Sequence, residues 1–329
     1  MKIGDLNIEG NIFSAPLAGI SNSVFRRLCK KYGASATISE MVSVKGLIYG
    51  DKKTAKYLYF TKEEKPIGIQ LFGSDADSSL RGLEKALEVN PDFIDFNFGC
   101  PVKKVIKQGA GSALLKDINK ATEIIKTLVD NSPIPITAKL RSGWDSNSIN
   151  FPEFARRLED VGISAIFIHP RTAIQGFSGK ADRELVRKTT PLLKIPVIYS
   201  GDINSPEGAK DVMVFTGVAG IMIGRAAMGD PHIFLRIKRF LEAGELIPKP
   251  SPAAKIDMLI EFYGQIIDFY GEQIGVKMMR KFIVWFTRGL SGNSVLRQKI
   301  FQLKNYEEII DKLNSYKNYL EAFDKAKTI

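Results

Sequence analysis

The sequence contains few of the residues that build disulfide frameworks or metal sites. It has two cysteines, Cys29 and Cys100, and two histidines, His169 and His232, among 329 residues. Two thiols are too few for a disulfide framework or for a metal site made of cysteines alone. We therefore expect no bound metal, and we expect the chemistry to depend on individual side chains.

Long apolar runs are also missing. No stretch approaches the roughly 20 apolar residues that a membrane-spanning helix needs, and residues 1–5 lack the apolar core of a signal peptide. With 44% hydrophobic residues, the composition is typical of a globular protein. These features predict a cytoplasmic protein, which we expect to be a monomer without a membrane partner. The net charge of +11 favours a polyanionic partner.

Eight short apolar runs recur about every thirty residues in the first two-thirds of the chain, as in the strands of an α/β fold of the (β/α)8 barrel type. Most runs are continuous and rich in β-branched residues, which is typical of parallel strands covered by helices. The runs lie at 12–16, 36–40, 67–72, 93–97, 134–140, 165–169, 195–200 and 219–223, with helical patterns at 22–32, 75–89, 118–130, 151–161, 205–215 and 231–243.

The alternation stops at a short segment, residues 245–252, that contains three prolines. Proline interrupts helices, so this segment predicts a linker between two domains. We expect a (β/α)8 barrel catalytic domain over 1–244 and a small C-terminal helical domain over 253–329. Between Glu272 and Glu307 the helical domain has seven lysines or arginines and no acid. This basic stretch is either a nucleic-acid surface or an ordinary solvated face.

Two glycine turns follow the seventh and eighth runs, where many barrels bind phosphate. The first is Ser200-Gly201-Asp202 and the second is Gly224-Arg225. Glycine allows backbone amides to approach a ligand closely, and arginine can bind an oxyanion through two hydrogen bonds. Two ordinary turns are the plainer interpretation, but their positions favour a phosphate site.

Three further side chains stand at strand ends. An ammonium group such as that of Lys139 must meet an anion there or lose its proton. Three roles are open for this lysine: it can stabilise the negative charge of a reduced flavin, form a Schiff base with a substrate, or pair with a nearby carboxylate. We interpret His169 as a contact to a cofactor or phosphate rather than as a core histidine. Cys100 lies in a Gly-Cys-Pro turn, where a thiol with a pKa of about 8.5 can donate a proton or act as a nucleophile.

In order and spacing, these residues resemble the tRNA-dihydrouridine synthases, most closely the bacterial B class. The element DFNFGCPVKKV at 95–105, followed by GSALL at 111–115, is the part most specific to that family. The other matching motifs are APLAG at 15–19, QLFG at 70–73, KLRSGW at 139–144, HPRT at 169–172, SGDI at 200–203 and MIGR at 222–225. They cover nearly the whole chain.

The resemblance implies an FMN enzyme that reduces uridine in tRNA with a nicotinamide donor, NADPH or NADH. It implies hydride addition at C6 of the uracil and protonation of C5 by Cys100. It assigns FMN binding to Pro16, Leu17, Ala18, Gln70, Lys139, His169, Ser200, Gly201, Asp202, Gly224 and Arg225. For tRNA binding we expect Asn97, Lys104, Arg171, Arg280 and Lys281.

Other functions fit parts of this pattern. A flavoprotein similar to dihydroorotate dehydrogenase would share the barrel and FMN, but it gives no role to a basic helical domain. A Schiff-base aldolase would use Lys139 as its nucleophile. An RNA-binding protein with an inactive barrel would not need Cys100, Lys139 and Arg225 together.

Overall fold

The computed structural model describes residues 1–327, and in its first part eight parallel strands form a barrel. The strands pair in the order β1-β8-β7-β6-β5-β4-β3-β2, and a parallel bridge between Phe13 and Ala36 brings the two ends of the sheet together. The predicted barrel is therefore confirmed. The strands are β1 Ile12–Ser14, β2 Thr37–Ile38, β3 Ile67–Phe72, β4 Phe93–Phe98, β5 Ile136–Arg141, β6 Ala165–His169, β7 Val197–Ser200 and β8 Gly220–Ile223.

Helices alternate with these strands, and two of them begin at a side chain that caps the first turn. The side chain of Asp75 accepts a hydrogen bond from the amide of Ser78, and that of Ser205 accepts one from the amide of Gly208. The barrel helices are Ser23–Lys31, Ala76–Leu87, Ile118–Asp130, Phe151–Asp160, Arg183–Thr189 and Pro206–Thr216, with shorter ones at Val44–Ile48, Lys52–Ala55 and Lys103–Ile106.

Alternate residues of the strands fill the inside of the barrel. Phe13, Phe93, Phe167 and Ile198 belong to one buried cluster, together with residues of a short N-terminal hairpin, Lys2–Ile3 and Leu6–Asn7. The hairpin packs at the amino ends of the strands. At the other end, which we call the mouth, the same alternation brings polar residues inward: Asp95, Asn97, Lys139, His169 and Ser200.

Residues 225–327 form a second compact unit, separate from Met1–Gly224. The helix Ile233–Ala243, which the sequence suggested as the last barrel helix, lies in this second unit. Ring packing between Phe262 and Phe282, with centroids 4.8 Å apart, is part of its core. Its other helices are Pro252–Tyr270, Glu272–Phe286, Asn293–Ile300 and Tyr306–Lys327. Within residues 1–327, every helix is too short or too polar to cross a membrane.

Candidate active site at the mouth of the barrel

A layer of buried polar side chains lies just below the mouth. Asp95 is fully buried, and its two carboxylate oxygens accept hydrogen bonds from Gln70 Nε2 at 2.7 Å and Thr137 Oγ1 at 2.8 Å. Burial raises the pKa of the Asp95 carboxyl to about 6, while these two hydrogen bonds and the Lys139 ammonium oppose that rise. The layer therefore places one ionisable carboxyl group beneath the mouth.

Cys100 lies directly above this layer, in a turn that Asn97 stabilises. The Asn97 Oδ1 atom accepts hydrogen bonds from the amides of Gly99 at 3.1 Å and Cys100 at 2.9 Å. The Cys100 carbonyl accepts two more from Ser112, from its amide at 3.1 Å and its hydroxyl at 2.9 Å. Burial raises the pKa of the half-buried Cys100 thiol, against the opposing influence of Arg141 and Lys139. The thiol is thus protonated at neutral pH and still reachable.

Lys139 lies on β5 in register with Asn97 on β4. Desolvation, reinforced by the nearby Arg141 cation, lowers the pKa of Lys139 to about 8, although Asp95 and Cys100 act in the other direction. A lysine with such a pKa can be an ammonium group or a free amine near neutral pH. An anionic ligand at the mouth would favour the ammonium form.

Arg141 is a site residue that the sequence analysis did not select individually. It is 3% exposed, and its Nε donates to the carbonyl of Gly99 at 2.9 Å. Its Nη1 donates to the carbonyls of Thr172 and Gly176, both at 2.8 Å. It therefore links the turn of Cys100 to the loop after β6. Its position two residues after Lys139, on the same face of β5, was the available signal.

The expected phosphate-binding residues that follow β6 and β7 form a connected group. Arg171 Nη1 lies 3.3 Å from His169 Nε2 and donates to Asp202 Oδ1 at 2.9 Å. A Cβ atom on Gly201 would lie 3.0 Å from the His169 ring, so glycine allows this close approach. His169, Ser200, Gly201 and Asp202 are therefore neighbours, as the sequence suggests.

Arg171 itself was expected to contact tRNA, and its surroundings argue against that role. It is 2% exposed, and the same guanidinium also donates to the carbonyls of Ser178 at 3.0 Å and Gly179 at 2.7 Å. A buried guanidinium with these partners has no exposed face for a phosphate group. We reassign Arg171 to holding the phosphate-end loops together.

The loop after β1 carries the first three expected cofactor residues. Pro16 and Leu17 are half-buried and Ala18 is exposed. The hydroxyl of Ser21 accepts from the Leu17 amide at 2.9 Å, and the Glu40 carboxylate accepts from the Gly19 amide. The loop is therefore ordered by Ser21 within it and by Glu40, which stands at the end of the second apolar run and was not assigned a role from the sequence.

The remaining predicted residues lie on surfaces. Lys104 is exposed in the helix Lys103–Ile106, close in sequence to Cys100. Arg225 is exposed at the start of the second unit. In that unit, Arg280 is exposed and Lys281 half-buried on the helix Glu272–Phe286. Exposed cations of this kind can bind phosphate groups.

The donors at the mouth suit an anionic organic cofactor. Lys139 and His169 offer ammonium and imidazole groups, and Gly201 leaves space for a ligand to approach the backbone. Within residues 1–327, no three His, Cys, Asp or Glu side chains are grouped so as to hold a metal ion. The chemical character of the mouth thus fits a cofactor that has a polar ring system and a phosphate group, with hydrogen-bonding side chains for the ring and glycine turns for the phosphate.

Comparison with known proteins gives consistent similarities. A family model described as dihydrouridine synthase (Dus) matches residues 13–326. The tRNA-dihydrouridine synthase B of Pasteurella multocida is 34% identical over 100% of this chain and 99% of its own. That of Pseudomonas aeruginosa is 35% identical over 93% of this chain and 92% of its own. The old yellow enzyme homologue of Zymomonas mobilis covers 75% of this chain and 92% of its own, with 15% identity and a TM-score of 0.55, a likeness of fold.

Proposed function

The chain belongs to the dihydrouridine synthase family of flavin-dependent oxidoreductases, and on that premise we propose that it is an FMN-dependent tRNA-dihydrouridine synthase. It reduces the C5–C6 double bond of specific uridines in tRNA, with NADPH or NADH as the electron source. The observation that carries the proposal is the position of Cys100, a protonated thiol in a fixed turn beside Lys139 at the mouth of the barrel.

The cofactor site combines the residues of the mouth. Gln70, Lys139 and Ser200 would bind the ring system, while His169 and the glycine turns would bind the phosphate. Bound FMN would supply the hydride that the nicotinamide donates. Lys139 in its ammonium form stabilises negative charge in the site. The full set is Pro16, Leu17, Ala18, Gln70, Lys139, His169, Ser200, Gly201, Asp202, Gly224 and Arg225.

Cys100 is the general acid of this proposal. Hydride addition at C6 of the uracil leaves enolate-like negative charge at C5, and a proton is needed there to complete the reduction. Since burial raises the pKa of Cys100, its Sγ carries that proton at neutral pH. The half-buried thiol is then reprotonated from solvent. Asn97 holds the Cys100 turn through its Oδ1 atom, and by the family resemblance it would also help to position the target base.

The substrate must bring its base out of the RNA stack to reach the mouth. Lys104 on the barrel would bind phosphate groups near the extruded nucleotide. Arg280 and Lys281 on the helix Glu272–Phe286 would bind phosphate groups of the tRNA as part of a helical tRNA-binding domain. RNA shape, more than base sequence, would then select the uridine.

An anaerobic half-reaction tests the proposal. The purified protein is reduced with NADPH, tRNA lacking dihydrouridine is added, and flavin absorbance is followed. We expect reoxidation that depends on tRNA and leaves dihydrouridine in it, while the same tRNA after complete reduction causes none. Reoxidation by orotate but not by tRNA would instead support the dihydroorotate-dehydrogenase-like alternative. A protein without flavin would favour the aldolase.

A further inference from the structure

We propose that Asp95 is a positioning residue that fixes the turn of Cys100 through the amide groups of Gln70 and Asn97. The three side chains form one chain of hydrogen bonds that ends on the backbone of Cys100. The link to catalysis rests on the proposed function, because it matters only if Cys100 is the proton donor. The chain of hydrogen bonds itself can be tested without turnover.

The first step is at Asp95. An ionised carboxylate can only accept hydrogen bonds. One of its oxygens accepts from Thr137, so the other requires a donor from Gln70, which presents its Nε2 at 2.7 Å. Asp95 and Gln70 are 0% and 1% exposed. Water therefore cannot replace a mismatched partner, and the carboxylate determines which way the Gln70 amide faces.

The second step passes this orientation to Asn97. Because the Gln70 nitrogen faces Asp95, its Oε1 faces Asn97 and accepts from Asn97 Nδ2 at 2.9 Å. The Asn97 oxygen is then left toward the turn, where two backbone amides donate to it, Gly99 at 3.1 Å and Cys100 at 2.9 Å. The opposite orientation would place an NH2 group against two N–H donors.

The requirements at both ends agree, and this agreement is the basis of the inference. The carboxylate end needs a donor and the backbone end needs an acceptor. Only one orientation of the two side-chain amides between them satisfies both requirements. A carboxylate below the site thus determines the hydrogen bonding of the residue proposed to donate the proton. Neither Asp95 nor Gln70 needs to contact the uracil for this effect.

Exchanging the carboxylate and the amide between positions 95 and 97 tests this chain of hydrogen bonds. In Asn97→Asp both ends can only accept, so Gln70 must turn its oxygen toward one carboxylate. In Asp95→Asn/Asn97→Asp the two bonds of Gln70 can form again in reverse: the new amide at position 95 donates to Gln70, and Gln70 donates to the carboxylate at position 97. The backbone amides of Gly99 and Cys100 still donate to position 97, as before. Asp95→Asn alone is the control, because its amide oxygen can still accept from Gln70.

The readout is hydrogen exchange of the Cys100 amide in the holoprotein. Labelling with [15N]cysteine gives two amide signals, those of Cys100 and Cys29. Cys29 lies inside the helix Ser23–Lys31 and reports global stability. Burying an unsatisfied group typically costs about 1–3 kcal/mol, so we expect Asn97→Asp to accelerate Cys100 exchange at least about fivefold. The double variant should return to within about threefold of the unmodified protein, with Cys29 unchanged.

Two results would overturn the proposal: Cys100 exchange in Asn97→Asp equal to that of the unmodified protein, or exchange in the double variant as fast as in Asn97→Asp. If Asn97→Asp does not fold, recovery of folding in the double variant supports the chain, and failure of both to fold contradicts it. When Gln70→Leu removes the amide that links the two positions, Asp95→Asn should no longer reverse the effect of Asn97→Asp on Cys100 exchange. If the Cys100 amide responds to these substitutions as expected but the protein does not reduce uridine in tRNA, the proposed function is refuted and the hydrogen-bond proposal is not.

Discussion

The guanidinium of Arg171 binds the carboxylate of Asp202 at two points, with Nη1–Oδ1 2.9 Å and Nη2–Oδ2 2.7 Å. The same carboxylate accepts from the amide of Ala181 at 3.1 Å. The pair therefore ties the loop after β6 to the turn after β7, and Gly201 lies between Asp202 and the end of β7. The geometry of the predicted phosphate site depends on this ion pair.

Arg171→Lys should weaken that site. Lysine carries a single point charge and cannot reproduce a two-point contact, and it cannot donate at the same time to the carbonyls of Ser178 and Gly179, which Arg171 also holds. We expect a loss of about 1–3 kcal/mol in the free energy of unfolding and a weaker affinity for FMN. Denaturant unfolding and flavin titration measure the two effects.

Arg187→Lys is the matched control. Arg187 also binds a carboxylate at two points, that of Glu184 at 2.8 and 2.6 Å, but both side chains are more than 40% exposed. Exposed pairs contribute little, so this change should alter stability by no more than about 0.5 kcal/mol. Equal losses in the two variants would show that burial of Arg171 is unimportant.

Cys100→Ala should keep bound flavin and lose about 10²- to 10⁴-fold in the rate of dihydrouridine formation, the usual contribution of a general acid. Cys29→Ala is the control, since Cys29 is fully buried in a helix and burial raises its pKa to about 12. Dihydrouridine is measured in tRNA after anaerobic single turnover. Unchanged turnover in Cys100→Ala would remove the thiol as the acid.

Lys139 predicts a pH dependence of cofactor binding. Its pKa is lowered to about 8, so the ammonium charge is present below that pH and is lost as the pH rises through it. We expect the dissociation constant for FMN to increase between about pH 7 and about pH 9. Lys139→Arg should show no such rise, because arginine stays charged, and Lys139→Ala should bind weakly at every pH. Full affinity and full activity in Lys139→Ala would contradict the assigned role.

Arg280→Glu/Lys281→Glu should weaken tRNA binding, with the largest effect at low salt. Each lost phosphate contact lowers the dependence of log K on log salt by about 1. Lys120→Glu/Lys126→Glu makes the same charge change on the barrel helix Ile118–Asp130 and serves as the control. Filter binding across a salt series compares them. Equal loss in both variants would indicate a general charge effect.

The barrel was predictable because its strands are continuous apolar runs, a pattern that depends on each segment alone. The helix Arg183–Thr189 was missed because it buries only Val186 and Thr189, and two buried residues are too few to give the sequence a recognisable helical periodicity. The end of the barrel was placed too late for a related reason. The helical pattern of Ile233–Ala243 cannot show which unit the helix packs in.

The individual chemical groups of the site were predictable from their places at strand ends, whereas their partners were not. Arg141 meets the carbonyl of Gly176, 35 residues away, and Arg171 meets Asp202, 31 residues away. The sequence alone does not distinguish an arginine that is buried by such long-range contacts from an exposed one. For this reason Arg171 was assigned to tRNA, and the supporting roles of Arg141 and Glu40 were not anticipated.

Gly111 offers a last test of how tightly the Cys100 turn is built. Its φ of +61° is in the left-handed region, and a Cβ atom there would lie 2.9 Å from the Cys100 carbonyl oxygen and 3.2 Å from the Cys100 Cβ. Gly111→Ala therefore adds a steric clash to backbone strain. We expect it to destabilise the protein by about 3 kcal/mol or more and to slow dihydrouridine formation by displacing the thiol.

Gly50→Ala separates the two causes. Gly50 has a similar φ of +69°, but a Cβ atom on it would have nothing within 4 Å, so alanine there should cost only the backbone strain, about 1 kcal/mol. The difference between the variants in denaturant unfolding is then the contribution of contact with the Cys100 turn. If that turn could shift freely, the two alanines would be equally costly and turnover would survive both. A larger loss at Gly111, accompanied by loss of turnover, means that catalysis requires the thiol in the position that Asn97, Ser112 and Gly111 define together.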